Sequence, residues 1–277
     1  MNRAEVLAAF ERQVRQRTAP DGTGATFETD AHVVRRLTVP GLGRPAVLWS
    51  NLDGSNADEV IAAQVRFFAS RGEELEWKLY SYDEPADLAA RLIAAGFRPE
   101  EPESLMIAAI EEITSALSAA ELPLGVSLER ATDEAGVDRL VRVHELVFGE
   151  DESELRASLL AQLASAPETT ELVIAMAGDE PVSSARTEFL AGAEFAGLWG
   201  GGTLPQWRRK GIYRALVRYR AELAATRGYK YLTVDASDQS RPILDRMGFE
   251  CLAITTPYIR RPSQPAGERR ASGPSRR

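Results

Sequence analysis

The sequence predicts a mixed α/β fold built twice over, and three observations carry that reading. The chain has 277 residues, 44% of them apolar and 27% charged. That is the composition of a globular protein and a length that suits two domains. Around Pro205–Leu216 an apolar stretch, a cationic glycine loop and an amphipathic helix follow one another, and the alternation of strand and helix continues to Phe249. The same words also recur. FASRG (68–72), EELEWKLYSY and a helix ending in IAAGF (93–97) in the first half match AATRG (224–228), YKYLTVD and a helix ending in RMGF (246–249) in the second. Both series read as helix end, glycine cap, strand, helix, Gly-Phe turn and strand, which points to duplication.

Taken in order, the first half occupies 1–115, a linker 116–125 and the second half 126–262. The segment Glu111–Gly125 forms the passage between them. The second half opens with a strand, Val126–Arg130. A helix follows, capped by Asp133 and filled by Val137, Leu140, Val141, His144 and Leu146. A second helix runs from Glu152 to Ser165 and stops at Pro167. Glu171–Met176 and Pro181–Phe189 pair around the turn at 177–180, and Glu194–Thr203 forms the next strand. After the cationic loop, Ile212, Ala215, Leu216, Tyr219 and Leu223 make one apolar helix face. A strand, Tyr229–Asp235, and a helix within Ser237–Phe249 complete the half. The Pro/Gly/Ser/Arg-rich tail 263–277 cannot bury a core and is expected to be disordered.

The loop carries the chemistry. Pro205 and Trp207 lead into Arg208, Arg209 and Lys210, then Gly211. Cations at a helix N-terminus oppose its dipole by about 0.3–1 kcal/mol each. Three of them there imply that an anion is expected. Glycine lets the backbone come close to it, and the first-turn N–H groups point at it. The pattern Arg208-x-x-Gly211-x-Tyr213 therefore has the physics of a pyrophosphate cradle, and Ile212 begins the helix behind it. In the first half the equivalent stretch, Trp49–Val60, places Asp53, Asp58 and Glu59 at the helix start instead. Those charges suit the dipole and repel a diphosphate.

The loop resembles motif A of the GCN5-related N-acetyltransferase (GNAT) family, and strand, loop, helix, strand, helix and Gly-Phe follow in that family's order from about Ser127 to Arg261. The resemblance implies two GNAT-like units in tandem, each a mostly antiparallel sheet flanked by helices, with a splayed strand pair in the second and a first unit that does not bind CoA. It implies acetyl-CoA as co-substrate and no metal. Gly201 and Thr203 on the central strand, Arg208, Arg209, Lys210, Gly211, Ile212 and Tyr213 in the loop, and Ser237 and Ser240 after the next strand would contact the cofactor. The run Trp199–Gly202 is glycine-rich for a strand, as a bulge or close ligand approach requires. Two positions depart from the family. Its strand glutamate falls at Gly197, and its thiolate-protonating tyrosine falls at Leu244. Asp235 is then the candidate base, with capping of the next helix and a water chain as the alternatives. The activity implied is acetyl transfer to a primary amine of a small molecule by direct attack in a ternary complex. The alternative is a catalytically weak CoA-binding regulatory protein.

Composition bounds the rest. A net charge of −8 argues against nucleic acid as a partner. The single cysteine, Cys251, excludes an internal disulfide, and His32 and His144 give no zinc spacing. No run of 18 apolar residues is present, so no membrane partner is expected. A cytoplasmic monomer or homodimer is the expectation.

Overall fold

The computed structural model describes residues 1–262. The expected disordered tail lies outside the described residues. The first half runs α1 (Arg3–Phe10, prolonged by a π-helical turn, Glu11–Arg15), β1 (Thr26–Asp30), β2 (Val33–Leu37), β3 (Ala46–Ser50), α2 (Ala57–Ser70), β4 (Leu75–Tyr80), α3 (Leu88–Ala94), β5 (Arg98–Pro99) and β6 (Glu103–Ala109). Helix α4 (Ile110–Ala116) leads into β7 (Val126–Arg130), α5 (Glu134–Phe148), α6 (Ser153–Ser165), β8 (Thr170–Ala177), β9 (Glu180–Phe189) and β10 (Phe195–Thr203). Helix α7 (Ile212–Thr226), β11 (Tyr231–Ala236), α8 (Arg241–Asp245) and β12 (Glu250–Arg260) follow.

Local chemistry sets the boundaries. Asp133 caps α5 by accepting from the Gly136 amide at 2.8 Å. The repeated glycines behave alike in both halves. Gly72 and Gly228 follow α2 and α7 at φ 70° and 82°, and Gly96 and Gly248 turn the chain at φ 89° and 101°. One expected element is shorter than its sequence suggested. Ser237–Ser240 form a hydrogen-bonded turn rather than helix, leaving α8 only five residues.

The twelve strands of the described residues join one sheet in the order β1-β2-β3-β4-β12-β6-β11-β10-β9-β8-β7, with β5 on β12. Among the described residues, only β3–β4 and β10–β11 are parallel. The last strand of each half sits in the other half's sheet. β12 pairs with β4 of the first half, β6 pairs with β11 of the second, and β6 and β12 pair with each other. One face packs α2 and α3 through Ile61, Phe68, Leu92 and Trp77, and α4, α7 and α8 through Ile113, Val217, Ala221 and Leu244. The other face carries α1, whose Val6 and Phe10 pack on Tyr80, Leu105, Ile107 and Phe195. There α5 and α6 cover Leu172, Ile174 and Met176.

Candidate active site

The cationic loop starts from β10. Trp207 ends a single 3₁₀ turn, Arg209 takes a left-handed conformation at φ 60°, and Gly211 caps α7 at φ 88°. Arg208 folds back, its Nε donating to the Thr203 carbonyl at 3.0 Å. Lys210 Nζ lies 4.3 Å from the centre of the Trp207 ring. Arg208, Arg209, Lys210 and Gly211 are all exposed. The first-turn amides of α7 have no acceptor inside the helix. Loop and helix therefore present cationic side chains, a glycine without a Cβ and free N–H groups at one point. This set fits a diphosphate. Ile212 is buried in the core, so it offers its amide only. Tyr213 also turns inward. A Cβ on Gly201 would stand 2.9 Å from its ring, and its hydroxyl pairs with the buried Arg220. The ring that replaces the family's small residue is thus taken out of the loop.

Strands β10 and β11 pair only from Phe195–Gly197 to Tyr231–Thr233 and then part. Beyond that vertex, β10 bulges. Trp199 faces Arg186 and Gly202 faces Ser184, with Gly200 at φ 57° between them. The β11-facing edge of Gly201 and Thr203 is left without a strand partner. The Thr203 hydroxyl itself bonds Ser183 Oγ at 2.8 Å. Ser237 and Ser240 stand past the end of β11, hydrogen-bonded to each other at 3.2 Å. Gly201, Thr203, the cationic loop and the Ser237–Ser240 turn thus lie at or beyond the point where β10 and β11 part, whereas Ile212 and the Tyr213 ring point into the core.

The opposite face of the same opening looks into a cavity of about 430 Å³ built by both halves. The second half contributes Gly197, Trp199, Glu188, Arg186 and Asp235; the first contributes Lys78, Glu76, Glu103, Arg36 and Phe10. Arg15 closes one side. It is buried over the Tyr80 ring and bonded twice to Asp83, at 2.8 Å each, tying the π-helical turn to the segment after β4. Asp235 does not cap α8. Its Oδ2 meets Lys78 Nζ at 2.5 Å and its Oδ1 is buried without a partner. Burial works against the Lys78 ammonium, but Asp235, Tyr80 and Glu76 outweigh it and hold its pKa above the ordinary lysine value. Burial pushes Glu103 up to about 7, only partly offset by Lys78. Burial likewise raises Glu188, against the pull of Arg186, whose Nε is 3.5 Å away, and a hydrogen bond from Trp199. The Trp199 indole lies back over Gly197, where a Cβ would come within 2.7 Å of Nε1.

Lys78, Glu103, Glu188 and Trp199 are the functional candidates that sequence reasoning missed. Glu76, Lys78 and Tyr80 alternate with the buried Leu75 and Trp77, so a two-sided strand was readable. That its polar side faces the other half was not. His144, read as a packing residue, bonds Glu152 through Nδ1 at 2.7 Å and packs at a tilt on the Phe148 ring, with Nε2 beside Gly200. Leu244 is fully buried.

The first half keeps the same frame without the cradle. β3 and β4 pair only at Ala46–Val47 and Glu76–Trp77 and then diverge. Ahead of α2, Asp53 Oδ1 accepts from the Ser55 and Asn56 amides at 2.7 and 3.1 Å. The carboxylate closes the turn ahead of α2, where the second half has its cationic glycine loop.

Residues 137–249 match the profile of the acetyltransferase (GNAT) family. The second half is a GNAT domain. Among solved structures, a GCN5-related N-acetyltransferase from Kribbella flavida is 19% identical, with 95% of this chain and 96% of that one covered at a TM-score of 0.66. A tandem GNAT protein from the clavulanic acid biosynthesis pathway is 14% identical, with 93% and 88% covered at 0.62. A GCN5-related N-acetyltransferase from Sphaerobacter thermophilus is 16% identical, with 93% and 85% covered at 0.59. These likenesses give the fold over nearly the whole chain, the tandem arrangement included. No curated protein matches the sequence. Among the described residues, no helix is long and apolar enough to cross a membrane.

Proposed function

We propose that the protein moves the acetyl group of acetyl-CoA to a primary amine of a small molecule, with both substrates bound at once. One arrangement carries the reading: the cradle at the start of α7 and the cavity shared by the halves lie on opposite sides of the gap between β10 and β11. The diphosphate would rest on Gly211 and the cations, the pantetheine arm along the free edge of β10 at Gly201 and Thr203, and the amine would enter from the cavity. Holding both reactants at one gap supplies the orientation that transfer needs.

Asp235 faces the acceptor side, as a base must. A proton taken there would leave the Lys78 ammonium without its partner, and separating a buried pair costs about 3–5 kcal/mol. We therefore assign Asp235 to holding the Lys78 ammonium at the cavity wall rather than to proton transfer. The test is calorimetry with acetyl-CoA, followed by loss of thioester absorbance with a panel of primary amines. Binding with turnover supports the transferase. Binding without turnover of any amine favours a CoA-responsive regulatory protein, and absence of binding removes both.

A further inference from the structure

We propose that Glu188 is the residue that takes the proton from the acceptor amine. This rests on the transferase reading above. Three observations place it there. Glu188 is the cross-strand partner of Gly197, the last residue of β10 still paired with β11, so it stands at the vertex where the strands part. Cross-strand neighbours lie about 4.5–5.5 Å apart, within reach of a glutamate side chain. It lines the shared cavity, and its side chain is 29% exposed. Gly197 has no side chain, and that leaves room for the Trp199 indole to lie across the strand and donate to Glu188. The glycine and the tryptophan together aim the carboxylate at the vertex.

The other cavity carboxylates are placed less well. Asp235 holds Lys78. Glu103 lies one step beyond the Ser104–Ala236 pair, level with Ser237 and past the end of β11. The groups facing Glu188 are Arg186 on β9, Arg36 on β2, Asp21 ahead of β1 and the Trp199 indole on β10. Burial outweighs the two arginines, so the carboxylate is more basic than an exposed one.

The ammonium of the acceptor gives one proton to Glu188 and becomes a neutral amine. Its lone pair forms the C–N bond to the acetyl carbonyl carbon as the C–S bond breaks. The second nitrogen proton passes to the departing thiolate, giving the amide and CoA thiol. Glu188 then returns its proton to solvent.

The experiment uses the full chain. Glu188→Gln should lower the rate of thioester loss with the best amine of the panel by about 10²–10⁴, with the acetyl-CoA dissociation constant unchanged by calorimetry and the fold intact by circular dichroism. Trp199→Phe removes a donor that favours the charged carboxylate. It should move the acid limb of the pH–rate profile to higher pH, which a purely structural role would not do. Carbon-13 titration of labelled glutamate carboxyls, assigned with Glu188→Gln, should find Glu188 above the ordinary carboxylate range. A Glu188→Gln rate within about threefold of the parent, or a Glu188 carboxyl titrating in the ordinary range, overturns the proposal. Failure of the transferase reading looks different: the parent protein itself consumes no acetyl-CoA with any amine, and the inference falls with it.

Discussion

At the scale of single residues, Gly211 carries the sharpest expectation. It sits at φ 88°, and a Cβ there would meet the Glu121 carbonyl at 3.4 Å. Gly211→Glu adds a carboxylate where the diphosphate would lie and should abolish acetyl-CoA binding by calorimetry while the chain stays folded. Arg208→Ala should weaken binding by about 1.5–3 kcal/mol, the worth of a hydrogen bond to a charged group. Part of that loss comes from the loop, because Arg208 also fastens it to Thr203. Asp235→Asn should destabilise the protein to chemical denaturation by about 3–5 kcal/mol through the stranded Lys78. Adding Lys78→Met should recover most of it, a coupling that a double-mutant cycle reads directly. Arg208 and Gly211 were legible in the sequence because their chemistry is local: a turn, a helix start and an excess of charge. Lys78 and Asp235 were not readable as a pair, since 157 positions separate them and they meet only because the strands of both halves join one sheet.

At the scale of elements, the two helix starts that follow the parallel strands explain why the halves differ. α7 begins on a glycine with bare amides, whereas α2 begins behind a turn whose Ser55 and Asn56 amides Asp53 already holds. One acetyl-CoA should therefore bind per chain in a calorimetric titration, and Gly211→Glu should remove all of it. A second site surviving that change would mean that the first half binds CoA after all. The bulge on β10 was foreshadowed by the glycine run, since a strand rich in glycine gives up pairing. The turn at Ser237–Ser240 was not foreshadowed, because its serines satisfy the same groups that a helix start would use.

At the scale of the molecule, the exchange of β6 and β12 makes each half depend on the other. Residues 1–115 alone would leave β4 without its neighbour, and residues 116–277 would leave β11 without β6. Neither fragment should give a cooperative unfolding transition alone, and mixing or co-expressing them should restore one, measured by denaturant titration. Glu103 on the exchanged strand adds a pH dependence. Its pKa rises from 4.5 to about 7 on folding, so the folded state holds more protons than the unfolded state between those values. Stability should therefore fall as pH rises from about 4.5 to 7, and Glu103→Gln should flatten that slope by about 1–3 kcal/mol over the window. The duplication was legible because glycine caps and Gly-Phe turns repeat as words. The exchange was not, since each strand fits either sheet equally well by its own pattern of apolar residues.

The exchanged strands also set an order of events during synthesis. β4 is made early, yet its neighbour β12 is among the last described segments to leave the ribosome. At typical translation speeds the wait is on the order of ten to thirty seconds. For that interval the first half carries an open strand edge of the kind that recruits other chains. A nascent chain of this protein should thus engage chaperones until its final strand arrives, and messages truncated before β12 should yield aggregates rather than a stable first half.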